Sequence, residues 1–109
     1  MSGFEEREKA FEAKYKHDEA LKFKIEARQA RLFGQHVAGE LGLSGEEAES
    51  YAKTMVTANL EEAGTDDMMR KAEADLTENG KTFDKVILQK HLDECFATAR
   101  TQIMMETDD

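Results

Sequence analysis

The sequence predicts an all-α fold, a four-helix bundle-like domain with a long N-terminal helix that partly extends from the body. Three observations predict it. The 109 residues contain no proline. Apolar residues recur at helical spacing in every long segment. Gly42, Gly64 and Gly80 divide the chain where helices would stop and turn.

The first helix reads as residues 3–41, filled with Ala, Glu, Lys, Arg, Leu and Phe, mostly good helix formers. At 1.5 Å per residue it would run about 57 Å. A compact domain of this size has a radius of gyration of about 13 Å, so part of the helix must project from the body or fold back on it. Phe4, Phe11 and Tyr15 fall at i, i+7 and i+11, a single narrow stripe. Around it Glu5, Glu6, Arg7, Glu8, Lys9, Glu12, Lys14 and Lys16 are charged on nearly every side. From Leu21 the pattern widens into two flanks, Leu21, Ile25 and Leu32 on one and Phe23, Ala30, Val37 and Leu41 on the other, which can be gripped from two sides. Residues 1–18 are therefore expected to form a separate N-terminal helical segment, and residues 19–109 the four-helix domain, with the change of regime near His17 and Asp18.

Leu41-Gly42-Leu43 supplies a left-handed stop with leucines to close over it. Ser44-Gly45-Glu46-Glu47 has the spacing of a capping box. Helix two is expected over 45–63, burying Ala48, Tyr51, Ala52, Met55 and Val56, with Leu60 near the same face and Ala63 at its end. Gly64 ends it, Thr65 caps the next, and Asp66 and Asp67 sit where the helix dipole favours anions. Helix three, over 66–78, offers Met68, Met69, Ala72 and Leu76 and stops at Asn79-Gly80. Helix four is expected over 83–104 with Thr82 as cap, burying Phe83, Val86, Ile87, Leu88, Leu92, Cys95, Phe96, Ala99 and Ile103. Short glycine turns imply antiparallel neighbours.

The net charge of −9 is uneven. Residues 1–33 carry eight Lys/Arg and seven Asp/Glu, whereas residues 34–109 carry seven and seventeen. Such an acidic body repels nucleic acid backbones. No apolar run reaches the roughly 18 residues of a membrane span, and no signal-peptide core is visible. Cys95 is the only cysteine, which fits a cytoplasmic location.

Metal and catalytic readings fare poorly. Asp75-Leu76-Thr77-Glu78-Asn79-Gly80 imitates the start of a calcium loop, but Val86 stands where the bidentate glutamate is required. His91 and Cys95 have usable metal spacing, yet Cys95 lies in the apolar stripe and reads as a small buried hydrophobe. His17 and His36 have no neighbouring constellation in the sequence. The pairs Met68-Met69 and Met104-Met105 read as gap-filling core. There is no glycine-rich phosphate loop, no G-x-S-x-G and no H-E-x-x-H, so the sequence offers neither an enzyme nor a metal site.

The Phe4/Phe11/Tyr15 stripe has two readings. It can pack on the protein's own bundle, or it can serve as a helix-in-groove ligand with aromatic anchors and Arg7, Lys9 and Lys14 for steering.

Phe4-Glu5-Glu6-Arg7-Glu8, Glu12 to Glu19 (EAKYKHDE), Leu32-Phe33-Gly34, Gly42-Leu43-Ser44-Gly45, Tyr51-Ala52-Lys53 and Glu61 to Asp67 (EEAGTDD) form an ordered series. In it the chain resembles the zeta inhibitor subunit of alphaproteobacterial rotary ATP synthases. The resemblance runs in register from Phe4 to about Leu76 and more weakly beyond. Two positions depart from it, Gln29 where an arginine is expected and His36 where a tryptophan is, and both bear on packing near the end of helix one. The resemblance implies a four-helix protein, peripheral to the membrane-bound synthase, whose mobile N-terminal region enters the interface between the alpha and beta subunits near gamma and blocks rotation during ATP hydrolysis. Phe4, Arg7, Glu8, Phe11, Lys14 and Tyr15 occupy that partner-binding region here. It also implies weak binding of adenine nucleotide in some members, for which these residues show no site. The competing readings are an acidic helical adaptor that holds a basic partner on the face from Glu46 to Asp67, and a metal-dependent regulator.

Overall fold

A computed structural model describes the backbone of residues 2–61 and 66–106 and the side chains of residues 19–60 and 66–106. Four helices follow one another: α1 (Ser2–Glu40), α2 (Gly45–Glu61), α3 (Asp66–Glu78) and α4 (Lys85–Glu106). Among the described residues α1 touches all three others, α3 bridges α2 and α4, and α2 and α4 do not meet. The long first helix is thus the post on which the bundle is assembled.

Backbone chemistry fixes the two described glycine stops. At the end of α1, Leu43 N–H donates to Ala38 O (2.9 Å) and Gly42 N–H to Gly39 O (3.1 Å), with Gly42 at φ 83°. The end of α3 repeats this arrangement, with Lys81 N–H on Leu76 O (2.9 Å) and Gly80 N–H on Thr77 O (3.0 Å), Gly80 being at φ 69°. Both are Schellman closures, which a side chain at the glycine would strain. Gly64, Thr65 and Ala63 lie outside the described residues.

Two caps differ from expectation. Gly45 takes φ 59° and makes the turn into α2 itself, so the Ser44 hydroxyl makes no described hydrogen bond and the capping box is not formed. Asp84, not Thr82, caps α4: its Oδ1 accepts from Val86 N (2.8 Å) and Ile87 N (3.4 Å). The helix therefore begins at Lys85, and Phe83 is left before it, 36% exposed.

The main core gathers Ala30, Phe33 and Val37 of α1 with Met55, Met68, Met69, Ala72, Leu76, Leu88 and Leu92. Met68-Met69 fill it as expected. A second cluster joins Ile25 to Ala99 and Ile103, with Leu21 and Leu32 against it. Several residues expected inside are outside. Phe23 of α1, Leu60 of α2 and Val86, Ile87, Phe96, Met104 and Met105 of α4 are all exposed; those of α4 stay out because, among the described residues, only α1 and the short α3 lie beside it. Among the described residues Gln29 is the buried polar one, and its Nε2 donates to Leu92 O at 3.0 Å. That bond removes the desolvation penalty an unpaired amide would suffer.

Tyr51 ties α2 to α3. Its hydroxyl donates to Asp75 Oδ2 (2.6 Å), which also takes Lys71 Nζ (2.9 Å), and Lys71 lies 5.0 Å from the Tyr51 ring centre. Burial first, then the hydrogen bond and charge of Asp75, push the Tyr51 hydroxyl well above its ordinary 10.0. The neutral phenol is favoured in the folded state, so this stabilisation is complete below pH 10 and is lost as pH rises beyond it. Denaturant unfolding between pH 9 and 12 should show wild type losing stability relative to Tyr51→Phe above about pH 10. Parallel curves for the two proteins would contradict this.

Candidate interaction site

The molecule measures 66 × 25 × 22 Å with a radius of gyration of 17.4 Å, well beyond the ~13 Å of a compact chain of this length. Helix α1, with its 39 residues, accounts for the elongation at about 58 Å. Pairing along the α1–α4 seam shows why the length is not absorbed by the bundle. The two helices run antiparallel, with His36 beside His91, Gln29 on Leu92 and Ile25 on Ala99 and Ile103. By the time α4 reaches its last turn at Glu106, α1 has come back only to the neighbourhood of Leu21.

Seven residues after Leu21, α1 is tied to the end of α4. Arg28 Nη1 donates to Gln102 Oε1 (2.8 Å) and Nη2 to both oxygens of Glu106 (2.9 and 3.1 Å). Nη2 is thus shared between the two Glu106 oxygens, and with Arg28 the more sheltered partner the pair ties α1 to the last turn of α4. On the α2 side, Glu49 takes Arg31 Nη2 (3.2 Å) and Gln35 Nε2 (3.0 Å). The six residues expected to bind the partner, Phe4, Arg7, Glu8, Phe11, Lys14 and Tyr15, have side chains outside the described residues, as has His17. Their backbone belongs to α1.

Other candidate residues resolve differently. The carboxylates of the α2–α3 face are in part engaged within the fold, Glu49 as above and Asp67 with Arg70, which weakens the adaptor reading. Asp75 is held by Tyr51 and Lys71 rather than arranged with Glu78 and Asn79 around a shared point, and Asn79 Nδ2 turns back to Asp75 O (2.8 Å). Among the described residues no group of three His, Cys, Asp or Glu side chains is placed to hold a metal. Cys95 packs against the main core. Burial first, then the nearby Glu94 charge, push its thiol up to about 11, so it is protonated at neutral pH and a poor nucleophile.

Sequence reasoning missed the meeting of two histidines. The His36 and His91 rings are 4.0 Å apart, tilted by 34°, each with a carboxylate on its own helix, Glu40 at 3.3 Å and Glu94 at 3.7 Å. Two histidines 55 positions apart in sequence give no local signal. Only the α1–α4 register brings them together.

No helix among the described residues is long and apolar enough to cross a membrane. Comparison with known proteins bears directly on this arrangement. A family model described as ATPase inhibitor subunit zeta matches residues 1–102. A protein solved in solution by NMR is 40% identical, with a TM-score of 0.69 over 79% of this chain and 98% of its own. No curated protein matches. With nearly its whole length matched, the chain belongs to the ATPase inhibitor subunit zeta family.

Proposed function

We propose that this protein is a regulatory inhibitor subunit that binds the catalytic head of a rotary ATP synthase through its N-terminal helix and blocks ATP hydrolysis. Membership of the inhibitor family supports the general role. The single structural observation that supports the N-terminal helix as effector is the register of the α1–α4 seam, in which the last turn of α4 lies near Leu21 while α1 begins at Ser2. Residues 1–18 act as the effector and residues 19–109 as the rigid handle from which it extends.

The physical mechanism is a wedge. A helix with aromatic anchors Phe4, Phe11 and Tyr15 on one narrow face, and with Arg7, Glu8 and Lys14 beside them, suits a groove that forms when two subunits close on each other. Seated between the alpha and beta subunits near gamma, it binds one rotary state better than the next. It stabilises that state by its differential affinity. The chain itself carries out no chemistry in this reading, needs no cofactor, and sits peripheral to the membrane-bound synthase in the cytoplasm.

Removal of residues 1–18 tests this. The truncated protein should keep its helical circular dichroism and cooperative melting, since it retains every residue of the described clusters, while losing inhibition of ATP hydrolysis by the isolated catalytic head. Full inhibition by the truncated protein would refute the assignment.

A further inference from the structure

A second surface, outside the N-terminal segment, has the makings of a docking site. Between α1 and α4 runs an open furrow lined by Leu21, Lys22, Ile25, Phe96, Arg100 and Met104. Its apolar part stays accessible beside the described residues, Phe96 being 40% and Met104 47% exposed.

Its charge is anomalous for this protein. Asp and Glu outnumber Lys and Arg by 24 to 15 in the chain, yet among the described residues the furrow is lined by two cations and no carboxylate. On the other side of α1 the cations are neutralised, Arg28 by Glu106 and Arg31 by Glu49. Lys22 and Arg100, one on each wall, meet no carboxylate among the described residues.

We propose that this furrow docks an acidic amphipathic helix of a partner protein. Two antiparallel helices leave a trough that a third helix fills at the usual 8–10 Å interaxial distance. An occupant with apolar residues at i, i+3, i+4 and i+7 covers Leu21, Phe96 and Met104, and carboxylates along its edges meet Lys22 on one side and Arg100 on the other. Beyond about 8 Å the protein's field is screened at physiological salt, so the two local cations, not the net charge of −9, decide which helix fits. The proposal is independent of what residues 1–18 bind.

The test uses the full chain, labelled with 15N, and two synthetic helical peptides with identical leucine spacing, one edged with Glu and one with Lys. The Glu peptide should shift the amide signals of Leu21, Phe96, Arg100 and Met104 and bind about ten-fold more tightly than the Lys peptide, as two partly screened ion pairs provide. The double variant Lys22→Glu/Arg100→Glu, with its helical circular dichroism unchanged, should reverse that order. A general electrostatic attraction to this acidic protein would favour the Lys peptide throughout. Equal or tighter binding of the Lys peptide in the furrow, shifts confined to other surfaces, or no binding by either peptide would overturn the proposal. So would the same shifts on concentrating the chain alone, which would mark the furrow as a contact between copies.

Discussion

Replacing Phe11 by alanine is expected to raise the concentration needed for half-maximal inhibition of ATP hydrolysis by roughly 30-fold. Aromatic side chains that anchor a helix in a closed groove typically contribute about 2 kcal/mol or more to binding when truncated, and 1.4 kcal/mol is a factor of ten. Phe11 is the middle member of the Phe4/Phe11/Tyr15 stripe, the position from which the proposed groove would exclude water most completely. The effect should fall on affinity, with maximal inhibition still reached at high concentration. Thermal unfolding should not change, since in the proposed reading Phe11 serves the partner's groove and not the bundle. A Phe11→Ala protein of lowered melting temperature and unchanged potency would place the side chain in the bundle instead. Titration of hydrolysis against inhibitor, alongside calorimetry, separates the two.

The largest effect on stability is expected at Gly34. A Cβ there would lie 2.7 Å from the Ala52 Cα and 3.0 Å from the Met55 Cβ, so α1 and α2 pack nearly backbone to backbone at this turn. The obstacle is main chain, which cannot rotate away, and Gly34→Ala must push the helices apart. Overpacking of this kind costs up to about 3 kcal/mol, and the better helix propensity of alanine returns about 1 kcal/mol. A net loss of about 2 kcal/mol should lower the melting temperature by roughly 10 °C. Gly39 provides the control, for it lies in the same helix with nothing within 4 Å of its would-be Cβ. Gly39→Ala should therefore be neutral or stabilising by up to about 1 kcal/mol. Equal melting temperatures for the two variants would contradict the close approach.

The helix ends that were legible in the sequence were those set by a residue with one conformational role. Gly42 and Gly80 each close a helix in the left-handed region, a position that other side chains resist, and the ends of α1 and α3 fall where those glycines put them. The start of α4 was less legible, because Thr82 and Asp84 are both good caps two residues apart and only the geometry selects Asp84. The interior of α4 misled for a different reason. Its apolar residues surround most of the helix, and periodicity cannot tell how many neighbours a helix will have. With α2 out of reach, Val86, Ile87, Phe96 and Met105 remain in solvent. Gln29 and Gly34 were invisible as packing residues. A buried amide needs its partner, Leu92 O, to make sense, and a close helix crossing needs the opposing Ala52. The elongation of the molecule was legible from the length of an unbroken helix set against the size of the domain. The candidate effector was legible only as a spacing of three aromatics, since the groove proposed to hold them would belong to another molecule.

The most direct test of the central claim places a photo-reactive benzoyl-phenylalanine at position 11 and illuminates the protein bound to the catalytic head during ATP hydrolysis. The account predicts cross-links to the alpha or beta subunit at their interface, formed only when ATP is turning over or the head is inhibited. Cross-links solely within the inhibitor's own helices, at any nucleotide condition, would contradict it.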